Sequence, residues 1–418
     1  MLDPERQFKY GSSFSVSFPD YPSFTRKPTL AVLYQEMGNH DILELTFTYS
    51  SSFLTSTLTT GTPVQFNWSS EKSSKQFYGY VTHVSPVTAQ VLNRTVTISC
   101  TGSSYPLKET ASKIYTNVTG SEFAIQVAKL FNLNPVVTTS NVRFNQISLA
   151  GHSYFEKLKE VAHRLGWAFQ VDGTNLYFNP IDTQIDKFMN SVPMLSFLDP
   201  FTNNTAQLYS QTLNSFKTKL GDYVESSSNN RSSKIVAGVD PITGVSYKAT
   251  SSPNLVGQSI RSKTKDPLFS KVEAGVVANS SAMAQAYADG KAQLSRLSIP
   301  GSGEAQGDPR ISPWGTVQVN GTGSLSDGYW VVKSAEHIIH ISGKYTTNFT
   351  CVTDGIKDNK ASATRPATSG SNTPISIASS ISTASNNKAS STKLSAAAAM
   401  VSQSQSGFNV IPRRWVSK

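Results

Sequence analysis

The residues that could do chemistry in this chain are few, and their spacing works against them. Glu336-His337-Ile338-Ile339-His340 comes nearest to a metal motif. A His-Glu-x-x-His site needs a helix to bring both imidazoles to one face. This stretch reads as a strand, whose alternation separates the two side chains. His152 and His163 flank one predicted helix about three turns apart, with no acid or Cys at ligand spacing beside them. They read as capping-region and surface residues, and His83 falls inside a strand pattern. Glu156 and Glu160 share a helix face, but Glu156 has a capping role and Glu160 reads as solvated surface.

Nucleophile and phosphate signatures are missing too. No Gly-x-Ser-x-Gly elbow, P-loop or dinucleotide glycine pattern occurs. Gly301-Ser302-Gly303-Glu304 reads as a loop, and the run from Gly238 to Gly244 is turn chemistry. Cys100 and Cys351 are the only cysteines, too few for a disulfide-stapled module or for structural zinc without help from His. Both read as buried free thiols. The expectation is no catalytic residue, no metal, no cofactor, and no enzyme.

The surrounding elements are mostly strands. Residues 12–17 (SFSVSF) and 43–50 (LELTFTYS) alternate apolar and polar, and 63–68, 78–84 and 95–100 continue the pattern. The period then changes. SEFAIQVAKLFN from Ser121 puts Phe123, Val127, Leu130 and Phe131 on one helical face, ended by Asn134-Pro135. Ser153 with Glu156 forms a capping box for a helix striped by Phe155, Leu158, Ala162 and Leu165 and ended by Gly166. Asp172-Gly173 between alternating runs marks a hairpin. Strand patterns return from about 205, including Tyr223-Val224 and the run 234–250. A helix follows over about 281–297, striped by Met283, Tyr287, Gly290, Leu294 and Leu297, and strands close the pattern from Trp314 to Val352.

Composition agrees. Charged residues are 15% of 418, while hydrophobic residues reach 38% and aromatics 10%. Low charge with abundant Ser, Thr, Asn and Gly suits strands, polar turns and surfaces buried in assemblies. There is no apolar run long enough for a membrane helix and no signal-peptide shape at the start, so folding in a cytoplasm is expected. Six of the net +10 charges come from Arg365, Lys388, Lys393, Arg413, Arg414 and Lys418, with no acid after Ala361. The remaining 10 − 6 = +4 gives the folded part little electrostatic reason to hold nucleic acid. Residues 361–409 read as a flexible low-complexity extension, and the apolar end 408–416 as either a docking peptide or a frayed terminus.

An internal repeat is the most informative feature. Gly61-Thr62-Pro63-Val64-Gln65-Phe66, Gly79-Tyr80-Val81 and the strand through Cys100 match Gly315-Thr316-Val317-Gln318-Val319, Gly328-Tyr329-Trp330 and the strand through Cys351. Two copies of one small barrel are therefore expected, with Cys100 and Cys351 in equivalent places.

The segments Gly151-His152-Ser153-Tyr154-Phe155-Glu156-Lys157-Leu158, Leu165-Gly166-Trp167-Ala168-Phe169, Gly307-Asp308-Pro309-Arg310-Ile311-Ser312-Pro313-Trp314-Gly315 and Gly328-Tyr329-Trp330-Val331-Val332 through His337 resemble the tail hub family. That family comprises contractile-phage baseplate hubs, late-control D proteins and the N-terminal part of VgrG spike proteins; siphophage tail-associated proteins share its core. The resemblance covers about residues 10–357, in pattern and domain order more than in identity. It implies a mainly β fold with an α/β insert: two tail-tube-like antiparallel β-barrels, at 1–106 and 191–360, flanking an α/β module at 107–190. A helical insertion is expected over about 256–305, and 361–418 is left as the extension. It further implies a structural homotrimer in the virion tail baseplate, a pseudo-hexameric ring with a DNA channel. The partners implied are a tail tube or distal tail protein on one side and a spike or tip protein on the other; the extension, which the resemblance does not cover, is expected to contact tape-measure or other baseplate proteins. A tail-associated cell-wall hydrolase and a host-binding adhesin are the competing readings. No spike β-helix or lysozyme-like insert is present in the pattern.

Overall fold

The computed structural model describes residues 12–48, 57–71, 73–90, 93–188, 192–197, 211–218, 234–240, 243–251, 271–278, 280–297, 299–322 and 326–353. The expected strand at Tyr223-Val224, the low-complexity run and the apolar end lie outside these residues.

Six strands come first: β1 (Ser13–Ser17), β2 (Leu30–Glu36), β3 (Ile42–Thr48), β4 (Pro63–Ser70), β5 (Ser73–Gln90) and β6 (Asn93–Gly102). Period-2 alternation sends Ala31, Leu33, Leu43, Leu45, Phe66 and Trp68 to one buried face. Fully burying a Leu- or Phe-sized side chain stabilises by roughly 1.5–3 kcal/mol, which makes this face the driving element of the sheet. The order is β1-β4-β5-β6-β3-β2, with every neighbour antiparallel.

An α/β module follows. A 3-10 turn (Tyr105–Lys108) leads to β7 (Ile114–Thr119), α1 (Gly120–Leu130), β8 (Asn134–Val137), β9 (Arg143–Ser148), α2 (Tyr154–Leu165), β10 (Trp167–Asp172), β11 (Asn175–Pro180) and α3 (Ile181–Phe188). The capping box of α2 is formed: the Glu156 N–H donates to Ser153 Oγ at 3.1 Å and the Ser153 N–H to Glu156 Oε2 at 3.1 Å. Gly166 caps its C-terminus at φ 64°. Asp172-Gly173 joins the β10–β11 hairpin. Helix α1 starts before the expected Ser121, because Thr119 supplies its own capping box with Glu122, and Leu130 faces solvent. Asn134-Pro135 does more than stop that helix; it opens β8, which pairs parallel with β11.

The rest of the chain gives β12 (Met194–Ser196), β13 (Gln211–Thr218), β14 (Lys234–Val239), β15 (Ser246–Ser251), β16 (Lys271–Val277), α4 (Ser281–Arg296), β17 (Ile299–Gln306), β18 (Thr316–Asn320), β19 (Gly328–His340) and β20 (Tyr345–Thr353). Strands β15-β14-β16 form a separate sheet under α4, inserted between β13 and β17. Gly301-Ser302-Gly303-Glu304 is not a loop but the middle of β17. Gly is required there because a Cβ on Gly301 would meet Cys351 Sγ at 2.9 Å and the Trp330 ring at 2.9 Å. Six strands close into a barrel in the order β19-β18-β12-β13-β17-β20, with β20 returning to β19. The fold is mainly β, with α/β elements set between two six-stranded units.

Candidate functional site

The two units share one topology. Label the strands of each unit first to sixth in chain order: β1 to β6, and β12, β13, β17, β18, β19, β20. In both, the first pairs with the fourth, the fourth with the fifth, the fifth with the sixth, the sixth with the third and the third with the second. Two differences exist. The first strand is antiparallel to the fourth in unit one and parallel in unit two. In unit two the first strand also pairs with the second, closing the barrel; among the described residues β1 and β2 do not pair.

The likeness extends to single hydrogen bonds. Val81 faces Cys100 and a β-bulge follows at once; Val332 faces Cys351 and a β-bulge follows at once. The cysteines are 100 − 81 = 19 and 351 − 332 = 19 positions beyond those valines. The Gly61 N–H donates to the Val81 carbonyl at 2.8 Å and the Val81 N–H to the Thr62 carbonyl at 2.8 Å. In unit two the Trp314 N–H donates to the Val332 carbonyl at 3.0 Å and the Val332 N–H to the Gly315 carbonyl at 2.8 Å. Gly61 and Trp314 hold the same left-handed backbone, at φ 91° and 68°. A bulge re-aims a strand, and two at one place are a designed feature. The structural register sets Val81 on Val332, so Gly79 corresponds to Trp330, two residues off the glycine match read from sequence.

The units meet at β2 and β19, which pair antiparallel from Leu30↔His340 to Glu36↔Ser334. Behind this seam lies a buried polar network. Arg310 grips Asp308, with Nη2 donating to Oδ2 at 2.6 Å and Nε to both oxygens at 3.0 Å. Gln211 Nε2 donates to Asp308 Oδ2 at 3.2 Å and Ser73 Oγ to Oδ1 at 3.2 Å, while Lys75 Nζ donates to Ser312 Oγ at 2.7 Å. Burial alone would raise the Asp308 carboxyl; the Arg310 guanidinium reverses this and holds it below the ordinary carboxylate range. The network ties the β4–β5 hairpin of one unit to the loop after β17 of the other.

No family model and no curated protein matches the sequence. Solved structures do match. A 43 kDa tail protein of prophage MuSo2 from Shewanella oneidensis aligns over 82% of this chain and 98% of its own, at 15% identity and TM-score 0.55. A tail protein from Neisseria meningitidis MC58 aligns over 84% of this chain and 99% of its own, at 12% identity and TM-score 0.57. The chain has a tail-protein fold.

Within that tail-protein fold the histidines stay apart. His337 is buried in β19, its Nδ1 at 2.8 Å from the Tyr345 hydroxyl and 3.1 Å from Thr347 Oγ1, and burial pushes its pKa down to about 3. His340 lies on the other face of the same strand. His83 is exposed, His152 lies 3.8 Å from Glu156 at the surface, and His163 Nε2 is 3.2 Å from Lys291 Nζ. Glu160 meets Lys157 and Arg164. Among the described residues no three His, Cys, Asp or Glu groups form a metal cluster. Both cysteines are buried free thiols whose pKa burial raises.

Two residues that sequence reasoning passed over join the first unit to the α/β module. His40 stacks on Phe155 at 3.8 Å, with Nδ1 2.6 Å from Ser104 Oγ; burial, then Lys108 and Lys159, lower its pKa to about 4. Asp41 is buried, and desolvation with nearby Asp172 raises it to about 7, against the amide of Gln35 at 2.9 Å. Neither stands in a motif; only tertiary burial marks them.

Proposed function

We propose that this protein is a structural hub of a phage tail baseplate: three chains form a ring whose six like units imitate sixfold symmetry. The observation that carries this is the duplicated unit, down to the bulge beside Cys100 and Cys351. Such a ring adapts a sixfold tail tube to a threefold spike or tip protein and encloses a channel for DNA. It belongs to the virion tail and assembles in the host cytoplasm. Residues 1–106 and 191–360 are the two ring-forming parts, 107–190 braces them, and 361–418 is a flexible arm for neighbouring baseplate proteins.

The shared outer face of β13, β17, β20, β19, β2 and β3 supports a channel role. Glu36, Glu44, Glu304 and Glu336 stand on it with Lys217, among Ser302, Asn348 and Thr350. A wall of this kind does not trap phosphates as a lysine-rich one would. The tail-protein fold and the scattered histidines favour a structural role over a hydrolase.

Mass photometry of the full chain tests the proposal. The expected mass is three times 45.3 kDa; monomers at every concentration would remove the ring. A clearing band on cell-wall zymography would favour the hydrolase instead.

A further inference from the structure

Both units hold the α/β module, with different chemistry. Unit two and its α4 use apolar and steric contacts. Met283 of α4 lies in the module's own core, and Trp314 packs with Ile181 and Ile185 of α3. A Cβ on Gly290 would meet the Gly166 Cα at 2.4 Å, so α4 lies backbone to backbone on the end of α2. The titratable groups at that contact, His163 and Lys291, are at the surface.

Unit one uses polar contacts, gathered on the turn between β2 and β3. The Gly38 N–H donates to Gln170 Oε1 at 2.8 Å, and Lys159 Nζ donates to Asn39 Oδ1 at 2.7 Å. The His40 ring lies on Phe155, and Ser103 Oγ donates to the Gly173 carbonyl at the tip of the β10–β11 hairpin. Asp41 ends the turn. It is 7% exposed and Gln35 beside it 5%. Gln35 Nε2 donates to Asp41 Oδ2 at 2.9 Å. Asp41 Oδ1 and Gln35 Oε1 are both buried and have no hydrogen-bond partner among the described residues. An ionised carboxylate only accepts, so it shares one hydrogen bond with an amide; a carboxylic acid also donates and shares two. One proton on Asp41 therefore satisfies both orphaned oxygens.

We propose that the β2–β3 turn is a proton-dependent latch: with Asp41 protonated and paired to Gln35 the turn grips the α/β module, and ionisation of Asp41 against Asp172 frees the module from unit one while unit two keeps it. The charged groups facing Asp41 are Asp172, from β10 of the module, and Lys75, from β5; the effect of Asp172 is the larger. Glu36 and His40 stand on the turn itself, and Lys108 and Lys159 beside His40. An ionised Asp41 would be a second buried carboxylate at the contact with Asp172, with its own Oδ1 and Gln35 Oε1 left unpaired. No group at the α4 contact responds in this way, so the release is one-sided. The latch belongs to the single chain and does not depend on the ring.

Hydrogen–deuterium exchange of the full chain tests this, with rates corrected for the intrinsic pH dependence of amide exchange. The reporter is the segment 36–41, whose Gly38 amide is held by Gln170. The control is the segment 283–292 of α4. Asp41 ionises at about 7 in the closed form. From about pH 5.5 to about pH 8.5 the corrected exchange of the reporter should therefore rise about tenfold, with the control unchanged. Asp41→Asn carries no charge and offers Gln35 Oε1 a donor, so it should keep the reporter closed at both values. Asp172→Asn removes the opposing carboxylate and should shrink the rise. Equal exchange of the parent's reporter at both values overturns the latch. So does a rise that either variant leaves unchanged, or one that the α4 segment shares, which would be loosening of the whole fold.

Discussion

Unit one and unit two carry the same strand order and solve their edges differently. In unit two the short β12 runs parallel between β18 and β13, and the barrel closes on itself. In unit one β1 runs antiparallel to β4 and, among the described residues, does not pair with β2, while β2 lies on β19. Reversing one peripheral strand thus converts a closed barrel into one that shares its edge. The backbone frame is common and the side chains are specialised upon it. Where unit one needs only Gly61, unit two spends the same left-handed position on Trp314, whose side chain packs with Ile181 and Ile185 of α3. A non-Gly residue in that region costs on the order of 1–3 kcal/mol, which the docking of α3 repays.

Unit two carries buried groups that unit one lacks, and removing them should tell the two units apart. Arg310→Ala has the largest expected effect. It strips the partner from a carboxylate buried to 0% exposure, and breaking a buried pair costs roughly 3–5 kcal/mol. Adding Asp308→Asn should restore part of the melting temperature; no recovery would show that the charge is not what hurts. Trp314→Gly comes next. It loses a buried aromatic, worth roughly 3–5 kcal/mol as a truncation, but gains back the backbone strain. Thermal melting should place its net cost below that of Trp330→Ala, whose side chain sits on unstrained backbone; equal costs would mean that Trp314 stores no strain.

Asp41 sharpens the contrast through pH. Its folded pKa is raised from 3.8 to about 7, so the folded state favours the neutral form. The stability it contributes is complete below about pH 4 and is lost as pH rises through about 7. Asp41→Asn should therefore raise the melting temperature at pH 8 relative to the parent and leave it little changed at pH 4. His337, lowered from 6.5 to about 3, has the opposite sign: its stability is present above 6.5 and lost as pH falls toward 3. The smallest effect is expected at Gly61. A Cβ there meets nothing within 4 Å, so Gly61→Ala should cost only the left-handed strain, about 1 kcal/mol in a urea titration.

Much of this was legible in the residues. The capping box at Ser153, the Asp172-Gly173 hairpin and the match of Val64-Gln65 to Val317-Gln318 depend on local spacing, and local spacing is what a sequence displays. Tertiary context hid the rest. Gly301 and Gly303 look like loop residues because glycine's loop preference is local, whereas here they make room for the Cys351, Trp330 and Phe349 side chains. Strands β14 and β15 read like further barrel strands, since alternation does not say which sheet a strand joins; α4 packs on them and carries them out of the barrel. The Asp308–Arg310 pair and Asp41 draw their character from burial, which no spacing reveals.

In the proposed hub the two units are equivalent about a ring axis. End-on electron microscopy of the assembled full chain tests it most directly. The predicted image is a closed ring with six similar lobes around an open centre, alternating slightly between the unit-one and unit-two shapes. A ring with three lobes, or particles without a central opening, would contradict it.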